Sequence, residues 1–312
     1  MRKIVILLCF LLIFINCSNK NINTKRHFKI ALFTSINTVF VETLIRDIQN
    51  YSSQQYGNIS IKKYYNYNPE IQKTQIMEAV LNGVDAILLQ IADVNMAPEI
   101  DKYLNSRNIP LVYFNIKPTT LEAGTYTYVG VNENIIGLLQ VLEVLKVRKE
   151  GNAVILMGDP NNEAATIRTS AIMETLSNTK IKLIDKARAN WYENIAFDTV
   201  YNWLDNNEPI DIIFANNDDM AIGAINAIHS IGRNAGTNKE DIIVVGADCT
   251  SYSYGYLRKG SLYSSILQDS KTQARLIVDT IVNSMLNKDD NFFNPSIITV
   301  APYIINIETI DK

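Results

Sequence analysis

The sequence predicts an α/β fold of two doubly wound parallel-sheet lobes, and three observations predict it. Short apolar runs alternate with segments of helical period from residue 28 to residue 307, the alternation restarts after Val131, and no long Pro- or Gly-rich linker interrupts it. Strands that alternate with helices form a parallel sheet covered on both faces and joined by right-handed crossovers. One domain holding all of these strands would need an unusually wide sheet, so two are expected.

In the first lobe, residues 28–33 form an apolar strand, and Val41, Leu44, Ile45 and Ile48 then recur at helical spacing. A second strand opens at 59–61, and a helix marked by Ile71, Ile76, Ala79 and Val80 ends near Gly83. Strand 86–89, a helix around Ile100 and Leu104, and strands 110–114 and 126–131 complete this half. In the second lobe, helix 133–148 carries acids at its start and Lys146 and Arg148 at its end, matching the helix dipole, with Gly151 beyond it as a stop. Strands follow at 154–157, 181–186, 212–215 and 242–246, separated by helices around Ala171, Phe197 and Ile225. A strand–helix pair at 264–267 and 273–285 precedes two closing strands, 297–300 and 303–307.

Ahead of the lobes, residues 1–3 are basic and 4–15 are an unbroken apolar run, too short to span a membrane that takes about 20 such residues. This layout fits an export signal. Cys17, separated from the run by Asn16 alone, resembles a bacterial lipoprotein cleavage site, in the relaxed spirochaete form. Residues 1–16 are therefore expected to be a signal peptide, Cys17 a lipidated first residue, and 17–27 a polar tether. Cys9 and Cys17 belong to this region, which leaves Cys249 alone in the body; neither an intramolecular disulfide nor a paired-cysteine metal site is available to the mature chain.

With 47% hydrophobic and 20% charged residues the chain is an ordinary globular one. Its formal charge is −3, and two units lower without Arg2 and Lys3, so nothing offers the basic face that a nucleic acid requires. Catalysis finds little support either. Of two histidines, His27 falls in the tether and His229 late in an apolar helix, and no G-x-S-x-G, H-E-x-x-H or Gly-rich phosphate loop is present. Asp218 and Asp219 open a helix about 100° apart and make a poor acid/base pair. The run 287–291 lacks the Gly and Glu of a calcium loop and reads as a solvated turn.

Ala215-Asn216-Asn217-Asp218 is the informative stretch. It joins a buried strand to a helix, and in open α/β sheets ligands collect beyond the carboxyl ends of the strands. Asn supplies donor and acceptor and ionised Asp accepts, a pairing suited to adjacent hydroxyls; the same residues could equally cap the helix. The stretch, with Tyr113 to Pro118, Gly158-Asp159-Pro160, Arg168-Thr169, Trp191, Gly246-Ala247-Asp248 and Ala301-Pro302-Tyr303, resembles the bacterial periplasmic glucose/galactose-binding proteins in order and spacing.

The resemblance implies a periplasmic binding protein type I fold, with three short crossings near 130–132, Gln268 and 294–297. The lobes would then be 28–131 with 268–295, and 132–267 with 296–312. It implies a site in which Asn115, Asn162, Arg168, Asn217, Asp218, Asp248 and Gln268 hold hydroxyls and Phe40 and Trp191 hold the two ring faces. Physically that is what a monosaccharide requires. Phe40 precedes an apolar stripe and could instead be core; Trp191, among Asn190, Tyr192 and Asn194, is expected to be exposed. Thr38, Asn162, Ala164 and Gln268 stand where the family has other polar residues, so ligand identity is open. The family's calcium loop is replaced by the shorter, basic 146–151, and no metal or cofactor is expected. The implied role is a monomeric, lipid-anchored periplasmic receptor that closes on a sugar and presents it to an ABC permease or a chemoreceptor. A nucleoside or signalling-furanose ligand is the alternative within binding. A repressor of the same fold would need an N-terminal DNA-binding helix-turn-helix.

Overall fold

The computed structural model describes residues 26–118, 126–286 and 296–311. The export signal, Cys17, most of the tether and the run 287–291 lie outside the described residues. The first lobe comprises β1 (Phe28–Thr34), α1 (Val39–Gln55), β2 (Ile59–Tyr65), α2 (Pro69–Leu81), β3 (Ala86–Leu89), α3 (Ala97–Asn105), β4 (Leu111–Phe114) and β5 (Tyr126–Val131). The second comprises α4 (Glu133–Val147), β6 (Glu150–Met157), α5 (Glu163–Leu176), β7 (Lys180–Arg188), α6 (Glu193–Asp205), β8 (Ile212–Ala215), α7 (Asp218–Ser230), β9 (Ile243–Asp248), α8 (Tyr254–Lys259) and β10 (Ser264–Leu267). The chain then returns through α9 (Ser270–Leu286), β11 (Ser296–Val300) and β12 (Tyr303–Asn306).

Each lobe is built on a six-stranded sheet, in the order β11-β5-β4-β3-β1-β2 and β12-β10-β9-β8-β6-β7. All pairs are parallel except β12, which runs antiparallel to β10. Parallel strands buried on both faces read as continuous apolar runs. In β1, Ile30 and Leu32 join the cluster under α1 and α9, while Ala31 and Phe33 join the one under α2 and α3. In the second lobe α4 and α5 cover one face and α6, α7 and α8 the other. The six-residue α8, stopped by Gly260 at φ +73°, is too short to leave a periodic signal in the sequence.

The last crossing departs from expectation. The sequence reading gives 296–312 to the second lobe, but β11 pairs with β5 of the first, from Ser296 opposite Thr127 to Val300 opposite Val131. The chain changes lobes at Ala301 and Pro302 instead of at 294–297. Proline has no N–H for a ladder, so a strand ends naturally there. The other two passages fall at Asn132 and at Gln268-Asp269. Val131, Ile136, Ala247, Ile266 and Val300 form a small apolar cluster beside all three.

Candidate functional site

Strand ends and helix starts meet in the cleft, and several helices begin there on a polar cap. Thr38 accepts from the Val41 amide, Asn162 from that of Ala164 and Asn217 from that of Met220. A capping Asn spends its oxygen on the helix and keeps its NH2 for another partner. All three caps line one cavity between the lobes, which holds about 330 Å³ of space between atoms, open toward solvent. Phe40 and Asn115 line it from the first lobe, Arg168, Trp191 and Asp248 from the second, and Gln268 from the second passage. Ala164, which has no polar side chain, contributes to the same wall.

The aromatic walls are set by packing. Phe40, in the first turn of α1, is 4% exposed and belongs to the core as well as to the cavity. Trp191 corrects the expectation of an exposed ring, being 7% exposed. Two left-handed residues in succession, Asn190 at φ +52° and Trp191 at φ +75°, turn the chain so that the indole folds inward. It lies over Gly158, where an added Cβ would stand 2.2 Å from Trp191 Cζ2. Gly158→Ala is therefore expected to displace the indole, costing about 1–3 kcal/mol of stability and at least tenfold in ligand affinity. Near-ultraviolet circular dichroism with calorimetry would check this; an unmoved tryptophan signal with full affinity would refute it.

Arg168, 2% exposed, is held from several sides. Its Nε donates to Glu133 Oε2 at 2.6 Å and its Nη1 to the Asn216 carbonyl at 2.6 Å, with Asp248 Oδ1 3.7 Å from Nη1. Asp248 Oδ1 accepts from Gln268 Nε2 at 2.6 Å. Burial pushes the Asp248 carboxyl well up, and Arg168 draws it partly back. Across the cleft, Asn115 Oδ1 accepts from Gln90 Nε2 at 2.6 Å, while Gln90 Oε1 accepts from Thr34 Oγ1 and from the Ser35 and Ile36 amides. Glu133 and Gln90 went unnoticed in the sequence because they act from behind; the acid in the first turn after the first passage was the one available hint for Glu133.

The three polar residues after β8 divide their work. Asn216 is buried behind the cavity, its Oδ1 accepting from the Gly158 amide and from Thr169 Oγ1, both at 3.2 Å. Asn217 caps α7 and also lines the cavity. Asp218 is the correction. Fully buried, it lies outside the cavity lining, and its Oδ1 accepts from Ser265 Oγ at 2.7 Å. One residue along a helix rotates a side chain by about 100°, enough to turn Asp218 from the cleft toward β10. Burial raises its carboxyl to about 7.

Nothing in the cavity forms an activated nucleophile. His27 and His229 are exposed, and burial pushes the Cys249 thiol up, away from the reactive thiolate. Among the described residues no group of three His, Cys, Asp or Glu side chains is placed to hold a metal. What the geometry offers is a slot with aromatic walls, a polar rim and contributions from both lobes. Lys117 of the first lobe and Glu163 of the second approach to 3.8 Å beside it.

Comparison with known proteins agrees with this architecture. Residues 29–289 match the family described as periplasmic binding protein domain. A Rhizobium meliloti protein named for rhizopine binding is 33% identical over 214 residues, 67% of this chain and 68% of that protein. The D-galactose/methyl-galactoside binding periplasmic protein of Haemophilus influenzae is 30% identical over 228 residues, 67% of this chain and 66% of that protein. Among solved structures, a Bacillus halodurans ABC transporter solute binding protein with bound myo-inositol superposes with a TM-score of 0.82 at 24% identity, covering 93% of this chain and 98% of that one.

Proposed function

Since the chain belongs to the periplasmic binding protein domain family, we propose that it captures a polyhydroxylated six-membered ring, a glucose- or galactose-like monosaccharide, for an ABC importer. The observation that carries this reading is the cavity itself, with Phe40 and Trp191 as apolar walls and Asn115, Asn217, Arg168 and Asp248 around its rim. Ring faces suit aromatic walls, and hydroxyls suit paired donors and acceptors. Relatives named for galactose or solved with myo-inositol support the six-membered ring. The cyclitol is therefore the second ligand to try. Because ligand contacts come from both lobes, the bound ligand favours the closed arrangement, which is what a permease or chemoreceptor reads. The same reading places the protein in the periplasm, tethered through a lipid on Cys17.

A thermal-shift series with D-glucose, D-galactose, D-allose, myo-inositol, D-ribose and adenosine tests it. A ligand present at 100 times its Kd stabilises the folded state by about 2.7 kcal/mol, a rise of several degrees in Tm. The expected result is a rise with at least one six-membered ring and a smaller one with ribose or adenosine. No rise with any of them would overturn the reading.

A further inference from the structure

We propose that Asp218 is a positioning residue of this site: acting through Ser265 and the Cys249 amide, it holds the turn that aims the Asp248 carboxylate into the cavity. The consequence for binding rests on the ligand reading above; the geometry does not.

Asp248 and Cys249 are consecutive residues at φ +104° and +50°. Non-glycine residues stay in such backbone only where their surroundings hold them. Here the holding is done by a relay. The Cys249 N–H donates to Ser265 Oγ at 2.9 Å, and that hydroxyl donates to Asp218 Oδ1 at 2.7 Å. Ser253, which continues the same turn, closes it by donating from Oγ to the Thr250 carbonyl at 2.9 Å. Asp218, Ser253 and Ser265 are fully buried, and none of them lines the cavity. A buried donor left without its acceptor is costly, so a carboxylate that orients the hydroxyl under the Cys249 amide helps to fix that turn.

The strand beside it leaves room for the carboxylate. At Gly246 an added Cβ would stand 2.2 Å from Asp218 Oδ1, which ties the small residue two places before Asp248 to the same device. From the other side, Gln268 Nε2 fixes Asp248 Oδ1 directly. Asp248 is thus aimed by two neighbours, one on its carboxylate and one through its backbone.

Three variants of the full chain test this: Ser265→Ala, Gly246→Ala and Asp218→Ala. Hydrogen exchange is read by mass spectrometry, and binding of D-galactose and of myo-inositol by calorimetry. The expected result is exchange at least tenfold faster in residues 249–253 of each variant, with α7 keeping its protection. Whichever probe the wild type binds should be held at least tenfold more weakly, and the losses from Asp248→Asn and Ser265→Ala should combine to less than their product. Unchanged exchange in 249–253 would overturn the proposal. So would loss of protection throughout the lobe, or affinity losses that multiply. If neither probe binds the wild type while the turn loosens as stated, the ligand reading fails and the positioning role stands.

Discussion

Arg168→Met is expected to destabilise the protein by about 3–5 kcal/mol, the cost of breaking a buried ion pair by removing one partner. The size follows from what remains. Glu133 and Asp248, at 9% and 7% exposure, keep carboxylates that have lost their shared cation, and the Asn216 carbonyl loses its donor. Such a loss is a large part of the 5–15 kcal/mol that holds a typical domain together. Two controls make it specific. Without Arg168 the Asp248 carboxyl is pushed up further, so the penalty should shrink on acidification. Adding Glu133→Gln should recover a substantial share, because a pair replaced as a whole costs less than a pair halved. Urea denaturation of the single and double variants measures both, and a penalty below 1 kcal/mol at neutral pH would refute the ion-pair account.

The second large effect is a fall in stability as pH rises. Burial lifts the Asp218 carboxyl from an ordinary value near 3.9 to about 7. Between those values the folded protein binds more protons than the unfolded chain, so unfolding free energy decreases with pH. The contribution is fully present below about pH 4 and is lost as pH approaches 7, at up to ~1.4 kcal/mol per unit, about 4 kcal/mol in all. Asp248, raised in the same direction, adds to the slope. Asp218→Asn removes the Asp218 part. The stability difference between wild type and this variant should therefore change by several kcal/mol, in the variant's favour, from pH 4 to pH 8. A difference that stays constant across that range would exclude Asp218 as its source.

Most of the fold was legible because doubly covered parallel strands announce themselves. β3, β4 and β8 are four-residue apolar runs with every residue buried, and no solvent-facing position dilutes the signal. Residues 296–300 were harder, since the pattern of an edge strand says that it pairs and not with which sheet. The cavity residues were legible where position alone decides, as at Asn115, just beyond β4, and Asp248, at the end of β9. Orientation was not. Asp218 sits at the expected place and points the other way, and Trp191 is buried among polar neighbours because of two left-handed residues and an absent side chain at Gly158. Gln90 and Glu133, whose partners lie 25 and 35 residues away along the chain, have no local signature at all.

The topology also sets when the molecule can become native. The first lobe opens the chain, yet its core is closed by α9 against α1, with Tyr51 and Tyr56 both donating to Asp279, 228 and 223 residues downstream. One of its two edge strands is β11, and the second lobe in turn waits for β12. Neither half is finished until the last few dozen residues have been synthesised, and distant pairings of this kind are slow to form. A chain synthesised only as far as residue 268 therefore holds both halves open, each with an uncovered sheet edge.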